Sequence, residues 1–474
     1  MPSARMLHTS AFLWNMEDDP HLRSTILAIT AFDRSPDWEY FRARMDRASR
    51  QLPMFRQLVQ APPMRLGSPR LVPAAELDLG YHMRHVRAPE PGTWRSVLDL
   101  AQTAEMAPFD RDRPLWEFTL VDGLEGGRAA LLTKLHHSLA DGIGAMQLAA
   151  LVVDLGPELA ELGDLPDVTA GGQEGALALI AESLAGDASE FARVAAGAAR
   201  GAAPAALGAL RHPRRAASEA ASAVLSVART VQPVRRTLSP VMTGRGLGRR
   251  LETLEFALGD MRAAGDRLGC SVNDVFLAGV TGGLRRYHEH RGAAVERLLM
   301  ALPISLRSPS DPVGGNRVTM VRFTVPVSEP DPQARIAEMQ RLVREWRQAP
   351  SNAMTQGIAF GLNLLPRRYI GEMFKHVDFV ASNVPGLEVP VYVAGARVTG
   401  YYPFGPTLGA ACNITLMSYA GTCFVGVNAD TAAVPDLELL IGCLRAEFLE
   451  VMRAPADVGR PRPPRRAQLG STTA

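Results

Sequence analysis

The chain of 474 residues is 47% hydrophobic and 21% charged, with a formal net charge of +2. Its length suits about two to four domains and buries a large core without disulfide or metal staples. The ordinary apolar fraction excludes disorder throughout, and so small a basic surplus makes no case for nucleic acid as a partner.

Three zones follow one another along the chain. Residues 1–155 mix strands and helices: Thr25–Phe32 is a strand-like apolar run, Asp37–Leu52 has helical spacing, and Glu117–Val121 and Ala129–His136 read as strands. From 156 to 244 alanine and glycine dominate, with breaks near Gly201, Pro204 and Pro213. That composition favours helix but supplies few bulky side chains for a core, so a helical connector is expected. Residues 245–452 return to the mixed pattern. There Asn273–His288 and Pro332–Arg347 read as helices and Leu298–Ile304 and Val318–Val327 as strands; ITLMSY and TCFVGVNA alternate like two strands turning at Gly421. The tail, 453–474, carries GRPRPPRR and is expected to be disordered and solvated.

Compartment is read from what these zones lack. No run of about 18 strongly apolar residues predicts a membrane-spanning helix. The N-terminal MPSARMLHTSAFLWNMEDD has no apolar core of a secretion signal. Cys270, Cys412, Cys423 and Cys443 have no CxxC spacing, so neither a disulfide framework nor a zinc site is indicated. A reduced, cytoplasmic protein without a metal centre is expected. Lys134 and Lys375 are the only lysines, a bias that reads as GC-rich ancestry.

The sharpest block is LLTKLHHSLADGIGAMQLAALVVD, in which His136-His137-x-x-x-Asp141-Gly142 sits on a strand-to-helix turn. Loops held between rigid elements are favoured places for catalytic groups. Histidine, with an unperturbed pKa of about 6.5, takes and returns protons near neutrality. Singly, each residue has a plain role: Asp141 as a helix N-cap, Gly142 as a turn residue, His137 as a hydrogen-bonded structural histidine. Four of them in one fixed pattern favour catalysis.

Further blocks surround this one: FDRDRPLWEFTLVDGL (Phe109–Leu124), SVNDVFLAGVTGGLRRY (Ser271–Tyr287), ALPISLR (Ala301–Arg307), GGNRVTMV (Gly314–Val321) and ASNVPG (Ala381–Gly386). In order and spacing the set resembles the bacterial wax ester synthase/diacylglycerol acyltransferases, within the CoA-dependent acyltransferases that carry HHxxxDG. The likeness covers about 1–155 and 245–450. It implies an α/β fold of the two-layer α+β kind. Two chloramphenicol-acetyltransferase-like domains, 1–155 with the histidine motif and 245–452, are joined by the connector and share an active-site channel.

The same resemblance implies attack of an alcohol on the thioester of acyl-CoA, with diacylglycerol or a long-chain alcohol as acceptor. His137 is then the general base, and His136 supports its loop. Asp141 is structural and pairs with an arginine, for which Arg307 is the candidate; Gly142 shapes the turn. Oxyanion or substrate contacts fall to Ser382, Asn383 or Asn273. Asn383 reads equally as a turn residue, and either Ser271 or Asn273 as the cap of the following helix. Trp116 reads as a core aromatic. Acyl-CoA is substrate, no cofactor is expected, and insoluble acceptors imply peripheral association with the inner membrane or lipid bodies.

Three positions depart from the family pattern: His8–Leu13, where an aspartate is usual, Ser138 in place of alanine, and Leu387 in place of proline. Two other functions suit parts of the chain. One is condensation on a carrier-protein thioester. The other is a lipid-surface binding protein without turnover, using helices within 175–250.

Overall fold

The computed structural model describes residues 4–63, 67–139, 151–167, 181–189, 232–305, 318–347, 367–384 and 386–455, with single residues at 192, 196, 214, 218 and 362. Two mixed sheets of six strands organise them. The first runs, edge to edge, Tyr392–Val393, Ala396–Phe404, Thr25–Phe32, Ala129–His136, Trp116–Asp122 and Met83–Arg87. Its two central strands are nearly continuous apolar runs because both faces are covered. They pair antiparallel from Thr25 opposite His136 to Phe32 opposite Ala129. Helix Trp38–Gln51 starts where the Asp37 carboxylate accepts the Tyr40 N–H at 2.9 Å, one residue inside the predicted span.

The second sheet runs Val318–Pro326, Arg297–Ser305, Phe379–Val384, Cys412–Tyr419, Thr422–Asp430 and Arg249–Ala257. The predicted hairpin is present: Cys412–Tyr419 and Thr422–Asp430 pair antiparallel, with Gly421 at φ 86°. Helices Leu258–Leu268, Val272–His290 and Leu437–Arg453 pack with this sheet, and Pro332–Arg347 lies against Val272–His290. Close approach of Val272–His290 to Leu437–Arg453 depends on glycine: a Cβ on Gly283 would stand 2.8 Å from the Leu444 Cα. Between them Glu447, fully buried, takes the guanidiniums of Arg335, Arg285 and Arg286.

One segment joins the two sheets. After Phe379–Val384 the chain leaves the second sheet, runs Tyr392–Phe404 along the first, and returns at Cys412. The expected second zone, 245–452, thus contributes two strands to the first layer. Tyr402 fastens the crossing: its ring lies 4.7 Å from Trp94 and 4.9 Å from Phe424, and its hydroxyl donates to Glu255 at 2.6 Å. A second seam joins helix Trp94–Met106 to strand Arg249–Ala257, where Arg95 meets Glu252 at 2.8 Å.

Most of the expected connector, all of the tail from 456 onward, and residues 140–150, which hold the rest of the histidine motif and most of the helix expected after it, lie outside the described residues. Among the described residues, no helix is long and apolar enough to cross a membrane.

Candidate active site

Strand Ala129–His136 carries the site. Alternation puts Lys134 and His136 on one face and Leu131, Thr133 and Leu135 on the other. His136 is fully buried. Its Nδ1 lies 3.1 Å from the Ser138 N–H and 2.7 Å from the Ser138 hydroxyl. A backbone N–H only donates, so Nδ1 bears the lone pair and Nε2 the proton. Nε2–H then donates to the Glu17 carboxylate at 3.2 Å. The rings of Trp14 and Phe109 stand edge-on, 5.6 and 5.9 Å from the imidazole. Burial pushes the Glu17 carboxyl up, but the hydrogen bonds from His136 and the Ser24 N–H, with the nearby Arg23 guanidinium, outweigh it. Glu17 is held below the usual glutamate range and stays ionised.

His137 follows at the strand end, half-buried, and its N–H donates to the Ser24 carbonyl at 2.8 Å. Ser138, the departure from the family's alanine, is the residue that caps the His136 ring. Lys134 is buried beneath, 3.2 Å from the Glu117 carboxylate and 4.3 Å over the Phe109 ring. Burial lowers its pKa despite Glu117.

The opposite face of the strand lines an open apolar cavity enclosing, with its mouth, about 820 Å³. Leu131, Thr133 and Leu135 form its floor, Phe41 and Met45 of helix Trp38–Gln51 one wall. The crossing segment supplies Leu387, Val391, Val398 and Tyr401, and the second sheet Met417 and Tyr419. Its nearly all-apolar wall suits hydrocarbon. Leu387, a further departure from the family pattern, is part of that wall.

The remaining predicted residues divide. Asn383 and Asn273 are brought together: Asn383 Nδ2 donates to Asn273 Oδ1 at 3.3 Å. Ser271 caps the helix, in a capping box with Asp274, which leaves the Asn273 side chain to Asn383. Ser382 is half-buried opposite Thr415 in the second sheet. Asp141, Gly142 and Arg307 lie outside the described residues. Trp116 is core: it is fully buried, stacks on His82 at 4.4 Å, and donates to the Phe55 carbonyl at 3.0 Å.

Sequence reasoning missed Glu17, Ser24 and the cavity. Glu17 sits in the acidic run Glu17-Asp18-Asp19, and nothing local separates it from its two neighbours.

The family's wax ester synthase/diacylglycerol acyltransferase catalytic domain matches residues 4–276, and its C-terminal domain matches 314–452. A protein of Mycobacterium tuberculosis carrying the provisional name diacylglycerol O-acyltransferase is 35% identical over 471 residues, covering 94% of this chain and 91% of the relative. A second, similarly named protein of that organism is 29% identical over 90% of this chain and 93% of its own length. Among solved structures, the wax ester synthase/diacylglycerol acyltransferase of Marinobacter aquaeolei VT8 superposes with a TM-score of 0.61 at 22% identity, covering 94% of this chain and 98% of that one. The first condensation domain of the calcium-dependent antibiotic synthetase gives a TM-score of 0.64 at 15% identity, covering 96% and 98%. Both structures share the mixed α/β, two-domain fold. With both family domains matched in order and the relatives matched almost end to end, this chain belongs to the wax ester synthase/diacylglycerol acyltransferase family of acyltransferases.

Proposed function

We propose that the chain moves a fatty acyl group from acyl-CoA to the hydroxyl of diacylglycerol or of a long-chain alcohol. An alcohol is a weak nucleophile at neutral pH, so His137 removes its proton as the oxygen attacks the thioester carbonyl. The tetrahedral intermediate collapses, the carbon–sulfur bond breaks, and His137 returns the proton to the departing CoA sulfur. Donors at the oxyanion come from Ser382, Asn383 or Asn273. Asp141, paired with Arg307, holds the loop, and Gly142 lets it turn. Acyl-CoA enters as substrate, and the chemistry calls for no cofactor. Such acceptors reside in lipid, so the enzyme works peripherally, from the cytoplasm, at a membrane or lipid-body surface.

One observation carries this reading: the apolar cavity lies along the strand that ends at the histidine pair, and Leu135, in its floor, precedes His137 by two residues. A chain lying in that cavity leads its thioester toward the turn.

The test is labelled palmitoyl-CoA incubated with diacylglycerol, hexadecanol or a carrier-bound thioester, for wild type and His137→Ala. Loss of about 10²–10⁴ in turnover to neutral lipid is expected in the variant, the range general-base catalysis supplies. Equal ester output from both proteins refutes the base. Product only with the carrier-bound substrate selects condensation chemistry, and lipid binding without product selects a binding protein.

A further inference from the structure

A single carboxylate oxygen beneath the histidine pair makes two hydrogen bonds. Glu17 ends helix His8–Met16, and its side chain is 4% exposed. Its Oε2 accepts from His136 Nε2–H at 3.2 Å and from the Ser24 N–H at 2.9 Å. Ser24 in turn accepts the His137 N–H at 2.8 Å. The same oxygen therefore fixes the ring of one histidine directly and the backbone of the next through one intervening residue. Glu17 Oε1, also buried, has no hydrogen-bond partner among the described residues.

The segment that bears Glu17 is held from the other half of the chain. Asp19 meets Lys375 at 2.6 Å, and Met16 and Leu22 pack in one apolar cluster with Met373, Phe374 and Leu408. The Glu17 backbone is thus anchored by elements that do not belong to the first sheet, while its side chain reaches into that sheet.

We propose that Glu17 is a positioning residue: it holds the orientation of the His136 ring through Nε2–H and, with Ser24, sets the location of His137. The proposal rests on the reading of His137 as base. A shift of about 1 Å in a catalytic group lowers turnover about 10²-fold. Glu17 touches no reacting atom, so substrate affinity is untouched.

The experiment compares Glu17→Asp, which keeps the charge and withdraws the acceptor by one methylene, with Glu17→Gln, which keeps the length and an acceptor oxygen. In Glu17→Asp, kcat per folded molecule is expected to fall about 10²-fold with KM for palmitoyl-CoA unchanged. Glu17→Gln is expected to recover most of that loss. Spectra of protein labelled with ¹⁵N-histidine are expected to show the His136 Nε2–H hydrogen-bonded in wild type and that hydrogen bond lost in Glu17→Asp, the Nε2–H tautomer itself being kept by the Ser138 N–H. In the double variant Glu17→Asp with His137→Ala, turnover is expected to equal that of His137→Ala alone, because groups acting as a unit are not additive. The proposal is overturned by full kcat in Glu17→Asp, by a raised KM with kcat intact, or by a loss matched by the folded fraction. It is equally overturned if the two substitutions multiply. A fully active His137→Ala removes the base reading instead, and the Nε2–H hydrogen-bond signal still reports the Glu17–His136 contact.

Discussion

Narrowing the apolar cavity separates long from short acyl donors. Thr133 lies in the floor on strand Ala129–His136, between Ala28 and Phe118 of the neighbouring strands. In Thr133→Trp the indole occupies the path of about four methylenes, each worth about 0.8 kcal/mol when buried. Roughly 3 kcal/mol of chain binding is then lost, more than a 10²-fold fall in kcat/KM at about 1.4 kcal/mol per tenfold. Butyryl-CoA is too short to reach the obstruction and keeps its rate. The assay is the ratio of kcat/KM for palmitoyl-CoA over butyryl-CoA, together with thermal unfolding, because overpacking itself costs about 1–3 kcal/mol. An unchanged ratio in a folded variant would show that the acyl chain does not occupy this cavity.

Other substitutions test the frame around the site. Glu447 and the Arg335 guanidinium are both fully buried, so Glu447→Ala strands a charge and is expected to cost about 3–5 kcal/mol in urea unfolding; an unchanged midpoint refutes the network's role. Gly283→Ala forces a Cβ to 2.8 Å from the Leu444 backbone and is expected to lose about 1–3 kcal/mol. Gly259→Ala, with nothing within 4 Å, is expected to gain roughly 0.5–1 kcal/mol in the same assay. Glu105 is buried at the seam and accepts from Asn428 at 3.2 Å; burial raises its pKa above the usual value, against the pull of Arg249. Its contribution is therefore full below the unfolded glutamate pKa and is lost as pH rises through the folded one. Glu105→Gln keeps the acceptor without the charge, so its melting temperature relative to wild type is expected to climb from pH 5 to pH 8 (a flat difference contradicts this).

Much of the architecture was legible because its signals are local. Apolar runs mark Thr25–Phe32 and Ala129–His136, helical spacing marks Trp38–Gln51, and glycine marks the turn at Gly421. The histidine turn was legible for the same reason, since its residues are consecutive in the chain. In Asn273 the choice between cap and contact stayed open, because Ser271 and Asn273 are both capping types. Only the folded helix shows Ser271 making the bond.

What the sequence by itself determined is the set of elements and the strand-to-loop turn that bears His136 and His137, since both follow from residues within a few positions of one another. Tertiary structure alone decided which strands meet. Ala396–Phe404 is as apolar as its neighbours in the chain, yet it pairs with Thr25–Phe32, far away in sequence, because that edge of the first sheet is open to it. It also decided that Glu17, one acid of three, lies under His136 across 119 residues, and that the strand face opposite His136 lines a cavity. Partners so distant leave no local periodicity; they exist only once burial has paired the sheets and excluded water from the space between them.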